Sequence, residues 1–371
     1  MAVQYAQREP MATRGRLQTA IYTVRSASGI LSQLILGLGL NGPEFGGQFS
    51  CALPINVVYG ITCIPCILAC FSTVFWLREY KTERVPFAKW ITLFWELLQK
   101  QVLWQIVAFR FVSNVFQNVS TTAIVPMADV WANVDPLVNA FSSTIGNCIF
   151  SAILVLVGKF GLQWNWRWTI GLATVGLIAI DSTVYFITIW NVCRNQWFFT
   201  GAILADQVPS GVRFIVSVFC AVEIADLGNE GAVYGLVTSV SNLTSPVAAV
   251  LYKYVDSFFR VTNEDMLQDS AAVRWDVTYT FIFSYAMKLA SLSWLFLLPP
   301  QKAHLQRLKR HGTTSPVAGA IIVLAFLVLL IFSIVANLMS IYPSTWCYRL
   351  AGGRGDTCFQ KTAATNPVKS S

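Results

Sequence analysis

The amino-acid sequence predicts an all-α, polytopic membrane helix bundle with about nine spans. Charge is scarce: 12% of residues are charged and 55% are apolar, where soluble domains run at roughly a quarter and about half. The apolar residues come in runs of about twenty or more, the length that crosses roughly 30 Å of hydrocarbon. Run 317–341 carries no charged residue at all. Most Lys and Arg residues lie between the runs, where a bilayer tolerates them.

In chain order the runs place spans at 24–40, 54–77, 102–126, 137–157, 168–190, 197–221, 231–251, 277–298 and 317–341. Long unbroken runs imply helices, because barrel strands alternate in polarity over about ten residues. The basic, polar start of the chain has no apolar run until about Thr19, so no cleaved signal peptide is expected. With the N-terminus in the cytosol, the inside segments hold Arg8, Arg14 and Arg16, then Arg78, Lys81, Arg84, Lys89 and Lys100, then Lys159 and Arg167, then Lys302, Arg307, Lys309 and Arg310. The outside segments up to the eighth span hold Arg194, Lys253, Arg260 and Arg274, diluted by five acids between 256 and 276. That asymmetry is the one the positive-inside rule requires. The expectation is an integral multi-pass protein, with the plasma membrane favoured.

Net charge of +8 invites nucleic acid as a partner. No nucleic-acid motif accompanies the basic residues, whose loop positions suit topology and anionic head groups, so the expected partners are the bilayer and a small solute. Within the basic loop at 78–101, Phe87-Ala-Lys-Trp-Ile-Thr-Leu-Phe-Trp-Glu-Leu-Leu98 reads as an interfacial helix.

Several motifs carry no chemistry. Gly37-Leu-Gly-Leu-Asn-Gly42 matches GxGxxG but ends a span, where a dinucleotide site needs a strand before it. His304 and His311, the two histidines, sit in a basic loop, and no catalytic grouping or metal-ligand set is found; no enzyme activity and no cofactor are expected. Cys63, Cys66 and Cys70 share a helix face and are expected to pack as small apolar side chains. Cys347 and Cys358 are either a disulfide pair or separate thiols of the outside tail.

The informative pattern is polarity inside the spans. Residues three, four and seven apart share a helix face. That spacing aligns Arg110, Ser113, Asn114, Gln117 and Thr121 in the third span, and Asp206, Ser210, Arg213 and Ser217 in the sixth. It aligns Thr280, Ser284, Lys288 and Ser291 in the eighth, and Glu230, Tyr234, Thr238, Ser241 and Ser245 in the seventh. Gly231, Gly235 and Asn242 form a neighbouring face where a second helix is expected to approach. Charges at mid-bilayer cost several kcal/mol unless paired or hydrated, so Arg110, Asp181, Arg213 and Lys288 need partners. Asp206 and Arg213 are about 10 Å apart along one helix, too far for a direct pair. Their partners are inter-helix groups on one reading and a solute path on the other, and four striped spans favour the path.

Glu223-Ile-Ala-Asp-Leu-Gly-Asn-Glu230-Gly-Ala-Val-Tyr-Gly-Leu-Val-Thr-Ser-Val-Ser-Asn242 resembles the folate-biopterin transporter family of the major facilitator superfamily. So do Phe94-Trp-Glu-Leu-Leu-Gln99, Gly158-Lys-Phe-Gly-Leu-Gln-Trp-Asn-Trp-Arg167, 204–214 and Asn41-Gly-Pro-Glu-Phe-Gly-Gly47; the likeness runs from about 14 to 358, and Gln163-Trp-Asn-Trp-Arg167 with the extra C-terminal helix resembles the family's oomycete branch. In the family pattern Glu223, Gly228, Gly231 and Asn242 are structural, although Leu227 stands where Pro is common. The family has about twelve core helices with its long cytosolic loop after the sixth, so the resemblance implies a partial fold lacking the first four. It divides the chain into a remnant of the N-terminal bundle at 1–77, a linker at 78–101, a six-helix C-terminal bundle at 102–299, and a basic loop, extra helix and polar tail at 300–371. The function it implies is a carrier for folate, pterin or a related organic anion, with proton coupling as one mode. The residues expected to meet solute are Arg110, Asn114, Gln117, Asp206, Arg213, Glu230 and Lys288. The competing expectation is a membrane interaction or scaffold protein that moves no solute.

Overall fold

The computed structural model describes residues 10, 16–45, 47, 49–50, 53–76, 86–225, 230–342 and 344–353. Among them every extended element is a helix, the form in which each backbone N–H and C=O is satisfied within its own segment. The helices are α1 Arg16–Gly39, α2 Ile55–Trp76, α3 Phe87–Gln99, α4 Gln101–Asn118, α5 Pro136–Phe160, α6 Trp166–Ile189, α7 Gln196–Ile224, α8 Glu230–Asp256, α9 Asn263–Gln268, α10 Ala271–Ala290, α11 Lys302–His311 and α12 Pro316–Ile341.

Seven described helices are long and apolar enough to cross a membrane: α2, α5, α6, α7, α8, α12, and α10 with its 3-10 extension to Leu297. The chain therefore has the architecture of a helical, multi-pass membrane protein. Only 11% of the apolar window of α12 and 6% of that of α2 is covered by the rest of the chain, which leaves most of both surfaces outward.

The first and third expected spans are helices that fall short of that apolar standard, and the third is also interrupted. Helix α4 stops at Asn118 because the hydroxyl-rich segment after it captures backbone groups elsewhere. Thr122 N donates to Asp256 Oδ2 at 2.6 Å, Ala123 N to Thr121 Oγ1 at 3.1 Å, and Ser284 Oγ to Val119 O at 2.8 Å. A short turn, Ile124–Pro126, and a π-helical turn, Met127–Trp131, replace the expected end of that span.

Local signals set the other ends. Asn165 and Asn195 accept from Arg167 N and Trp197 N and so cap α6 and α7. Pro136 and Pro316 open α5 and α12, where a missing N–H costs nothing. Thr262 and Asp265 form a capping box on α9, and Asp269 ends it in the left-handed region at φ 42°.

Small residues let the helices close on one another. A Cβ on Gly158 would strike Thr19, and one on Gly37 would strike Ala140, so α1 lies antiparallel along the full length of α5. Gly146 meets Gln207 and Gly211 meets Ile153, which sets α5 and α7 side by side and parallel. Helix α2 touches the rest chiefly through α1. As a result Cys63, Cys66 and Cys70 are exposed free thiols, a correction to the expectation that they pack among neighbours.

The connections gather at two ends. At one, Gln101 N donates to Thr313 O and Ser315 N to Gln99 O, Arg167 donates to Leu298 O and Phe296 O, and Lys309 to Ala225 O. At the other, Trp131 donates to Met266 O, Asp135 N to Gln196 Oε1, and Arg194 pairs with Asp269. Alternate crossings by α4 to α10 bring these loops together as the run order implies. The expected interfacial helix is α3, which buries Leu97 and Leu98 while Phe87 and Trp90 stack outward. The basic residues Arg78, Lys81 and Arg84 lie outside the described residues, as do Arg8, Arg14, Leu227, Gly228 and Cys358. Cys347 is disulfide-bonded.

A test of sidedness follows from the two ends. With the exposed native thiols replaced, single cysteines at Gln268 and His311, both exposed, should react with an impermeant reagent from opposite sides of the membrane. Labelling from one side would remove the alternating topology.

Candidate functional site

The polar stripes meet in the interior. Arg110 of α4 donates to Ser217 O of α7 at 2.9 Å and to Ser241 Oγ of α8 at 3.1 and 2.6 Å. Gln117 accepts from Ser291 Oγ at 2.8 Å, and Thr121 donates to Thr280 Oγ1 at 3.0 Å. Arg213 of α7 donates to Asn114 Oδ1 at 3.2 Å. Four helix faces picked out by spacing are thus one another's partners.

This packing engages two of the residues expected to meet solute, Arg110 and Gln117. Arg110 clasps α7 and α8 together. Ser113 and Gln117 are buried under neighbouring helices, because the stripe of α4 faces α8 and the extension of α10 where an open aqueous path was expected. Glu230 is buried in the first turn of α8, roughly 16 Å along the axis from Ser241, where Arg110 reaches α8. It therefore stands apart from the Arg213 region. Glu223, at the end of α7, accepts from Gln306 Nε2 at 2.6 Å and holds α11 against the bundle. Gly231 and Gly235 have open space where a Cβ would sit, and Asn242 is exposed in a groove beside α12. Nothing lies within 4 Å of the Cβ positions of those two glycines among the described residues, while α8 turns Val233, Val237, Val240 and Thr244 inward.

Beside these contacts lies a cavity of about 150 Å³ in the half of the bundle nearer the 119–135 end. Its lining includes Ser120 and Thr121 after α4, Asp181 and Tyr185 of α6, Asp206 of α7, and Ser284, Tyr285 and Lys288 of α10. Asp181 is only 7% exposed and makes no hydrogen bond or ion pair within 4 Å among the described residues. Asp206 accepts from Ser210 Oγ at 3.3 Å. Lys288 lies within electrostatic range of Asp181, Asp206 and Arg213. Arg213 also forms no ion pair among the described residues; its one hydrogen bond is to Asn114.

Spacing located Asp206, Lys288 and Thr121, and marked Asp181 as a costly charge without assigning it to a site. It missed Tyr185 and Tyr285, which look like ordinary apolar bulk in a membrane sequence. Their signal was position: Tyr185 lies one turn from Asp181, and Tyr285 one turn from Lys288.

Fold and site together define a multi-pass helical membrane protein with an interior cluster of charges. Comparison with protein-family models, with curated proteins and with solved structures finds no match to this chain.

Proposed function

We propose that the chain is a membrane carrier of the major facilitator type, related to folate-biopterin transporters and moving a pterin, folate or similar organic anion, with α1 and α4 completing nine crossings. The observation that carries this reading is the set of intramembrane charges left without ion pairs around a cavity. Charges so placed are expensive, and they persist where a solute or ion path uses them. If all are ionised, Asp181, Asp206, Lys288 and Arg213 sum to no net charge, and Arg213, which forms no ion pair among the described residues, is the positive charge open to an anionic solute. The cavity of about 150 Å³ is smaller than the roughly 300–1,000 Å³ of sites for drug-sized ligands. A bicyclic ring is the size class this conformation accommodates, and a whole folate requires opening. Protonation of one interior acid offers a route to symport.

A second reading, a membrane interaction protein that moves no solute, is favoured by α2, whose apolar surface the chain leaves almost wholly uncovered. Purified chain in liposomes separates the two. The carrier accumulates a labelled pterin above empty liposomes, saturably, and Asp206→Asn reduces the rate severalfold. Uptake equal to that of empty liposomes overturns the carrier reading.

A further inference from the structure

We propose that the cavity between α6, α7 and α10 binds a planar, N–H-rich cationic group of the amidine, guanidine or aminopyrimidine class. This deepens the carrier reading and rests on it only for which molecule brings the group.

Two observations point to a missing donor. Asp181 is a carboxylate 7% exposed, with no hydrogen bond among the described residues, although it lines the cavity. Tyr285, also 7% exposed, lines the same space and leaves its buried hydroxyl without a partner among the described residues. A carboxylate removed from water costs several kcal/mol unless donors reach it. Lys288 is the cation nearest to hand, yet it interacts with Asp181 and Asp206 only through space, and its ammonium stands 5.6 Å from the centre of the Tyr285 ring.

Charge and shape then select the ligand. Two carboxylates against one ammonium leave the cavity with an excess negative charge, so it suits the cationic end of a molecule, while Arg213 suits an anionic end. The volume of about 150 Å³ holds on the order of ten waters or one small ring system. Aromatic faces border it: Tyr185 and Phe281 have centroids 4.7 Å apart, and Phe281 and Tyr285 6.1 Å. A flat cation laid against such a ring gains cation–π attraction, and its paired N–H groups match the two oxygens of a carboxylate. A bare metal ion is less suited, since no group of three or more Asp, Glu, His or Cys is found among the described residues.

The test is calorimetric titration of the purified full chain in nanodiscs with benzamidine, a flat amidinium. Tetramethylammonium serves as a cation without N–H donors, benzoate as the isosteric anion, and sodium as a competitor. The expected result is saturable benzamidine binding, no binding of the other two, and no displacement by sodium. Asp181→Asn should weaken benzamidine at least tenfold, whereas His304→Gln, at an exposed position of α11, should leave it unchanged. Equal binding of tetramethylammonium or benzoate, displacement by sodium, or no benzamidine binding overturns the proposal. The selectivity series uses the unaltered protein, so it decides even where Asp181→Asn fails to fold. Benzamidine binding without solute uptake removes the carrier reading and leaves this site; uptake without benzamidine binding does the reverse.

Discussion

Arg213→Ala is expected to lower uptake of an anionic pterin or folate at least tenfold while leaving the amount of protein in the membrane unchanged. The guanidinium makes one hydrogen bond, to Asn114 at 3.2 Å, and no ion pair among the described residues. Its charge is therefore available to a solute in a way that the charge of Arg110, held by Ser217 and Ser241, is not. A hydrogen bond to a charged group is worth about 1.5–3 kcal/mol, and every 1.4 kcal/mol is about tenfold in affinity. The fold loses only a contact at the long end of the hydrogen-bond range. Arg213→Lys keeps the charge and loses the fork, so it should recover part of the uptake. Uptake rates normalised to membrane-inserted protein measure the effect. Disappearance of the protein would make Arg213 a structural residue, and unchanged uptake would remove it from the site.

The largest effect on stability is expected at Asp269, which joins three elements at the 119–135 end. Arg194 donates to its two oxygens at 2.9 Å each, and Arg274 at 2.9 and 2.8 Å. Arg194 also donates to Thr188 O and lies over the Trp131 ring, 4.5 Å from its centre. Asp269→Asn removes the negative charge that these two guanidinium groups share. After discounting for partial exposure, it should cost about 2 kcal/mol, read as a lower unfolding midpoint in detergent. The hydrogen bonds from Arg194 and Arg274 hold the Asp269 carboxyl well below the ordinary aspartate range. A depressed folded-state value stabilises above the unfolded value, near pH 4, and the gain is lost as pH falls toward the depressed one. The gap in midpoint between wild type and Asp269→Asn should therefore be constant from neutral pH to about pH 5 and shrink below about pH 4. A gap that stays constant through that acid range would mean that Asp269 is not the anchor.

Much of the candidate site was legible because helical spacing is a property of one chain segment. Arg110, Ser217 and Ser241 lie on three separate stripes, and each stripe was visible without knowledge of the others. Which stripe faces which was not visible, since that depends on how each helix is rotated in the bundle. Arg213 and Glu230 looked alike in sequence, two charges at span positions, yet α8 begins at Glu230 and carries it to the opposite part of the bundle from the cavity. The same limit applies to Gly231 and Gly235. Small residues permit close approach, but only packing decides whether a neighbour is there, and on α8 it is not.

By itself the sequence determined that this chain is a helical, multi-pass membrane protein, because hydrocarbon thickness and the cost of unsatisfied backbone groups act on run length and composition alone. It also determined which faces of the spans are polar. The tertiary structure alone decided that α4 ends at Asn118, where Asp256 and Ser284 from distant helices take up the backbone that would have continued it. It alone decided that Arg110 is a clasp and that Asp181, Asp206 and Lys288 share one cavity. Those outcomes depend on distances between residues far apart in the chain, and no local pattern encodes them.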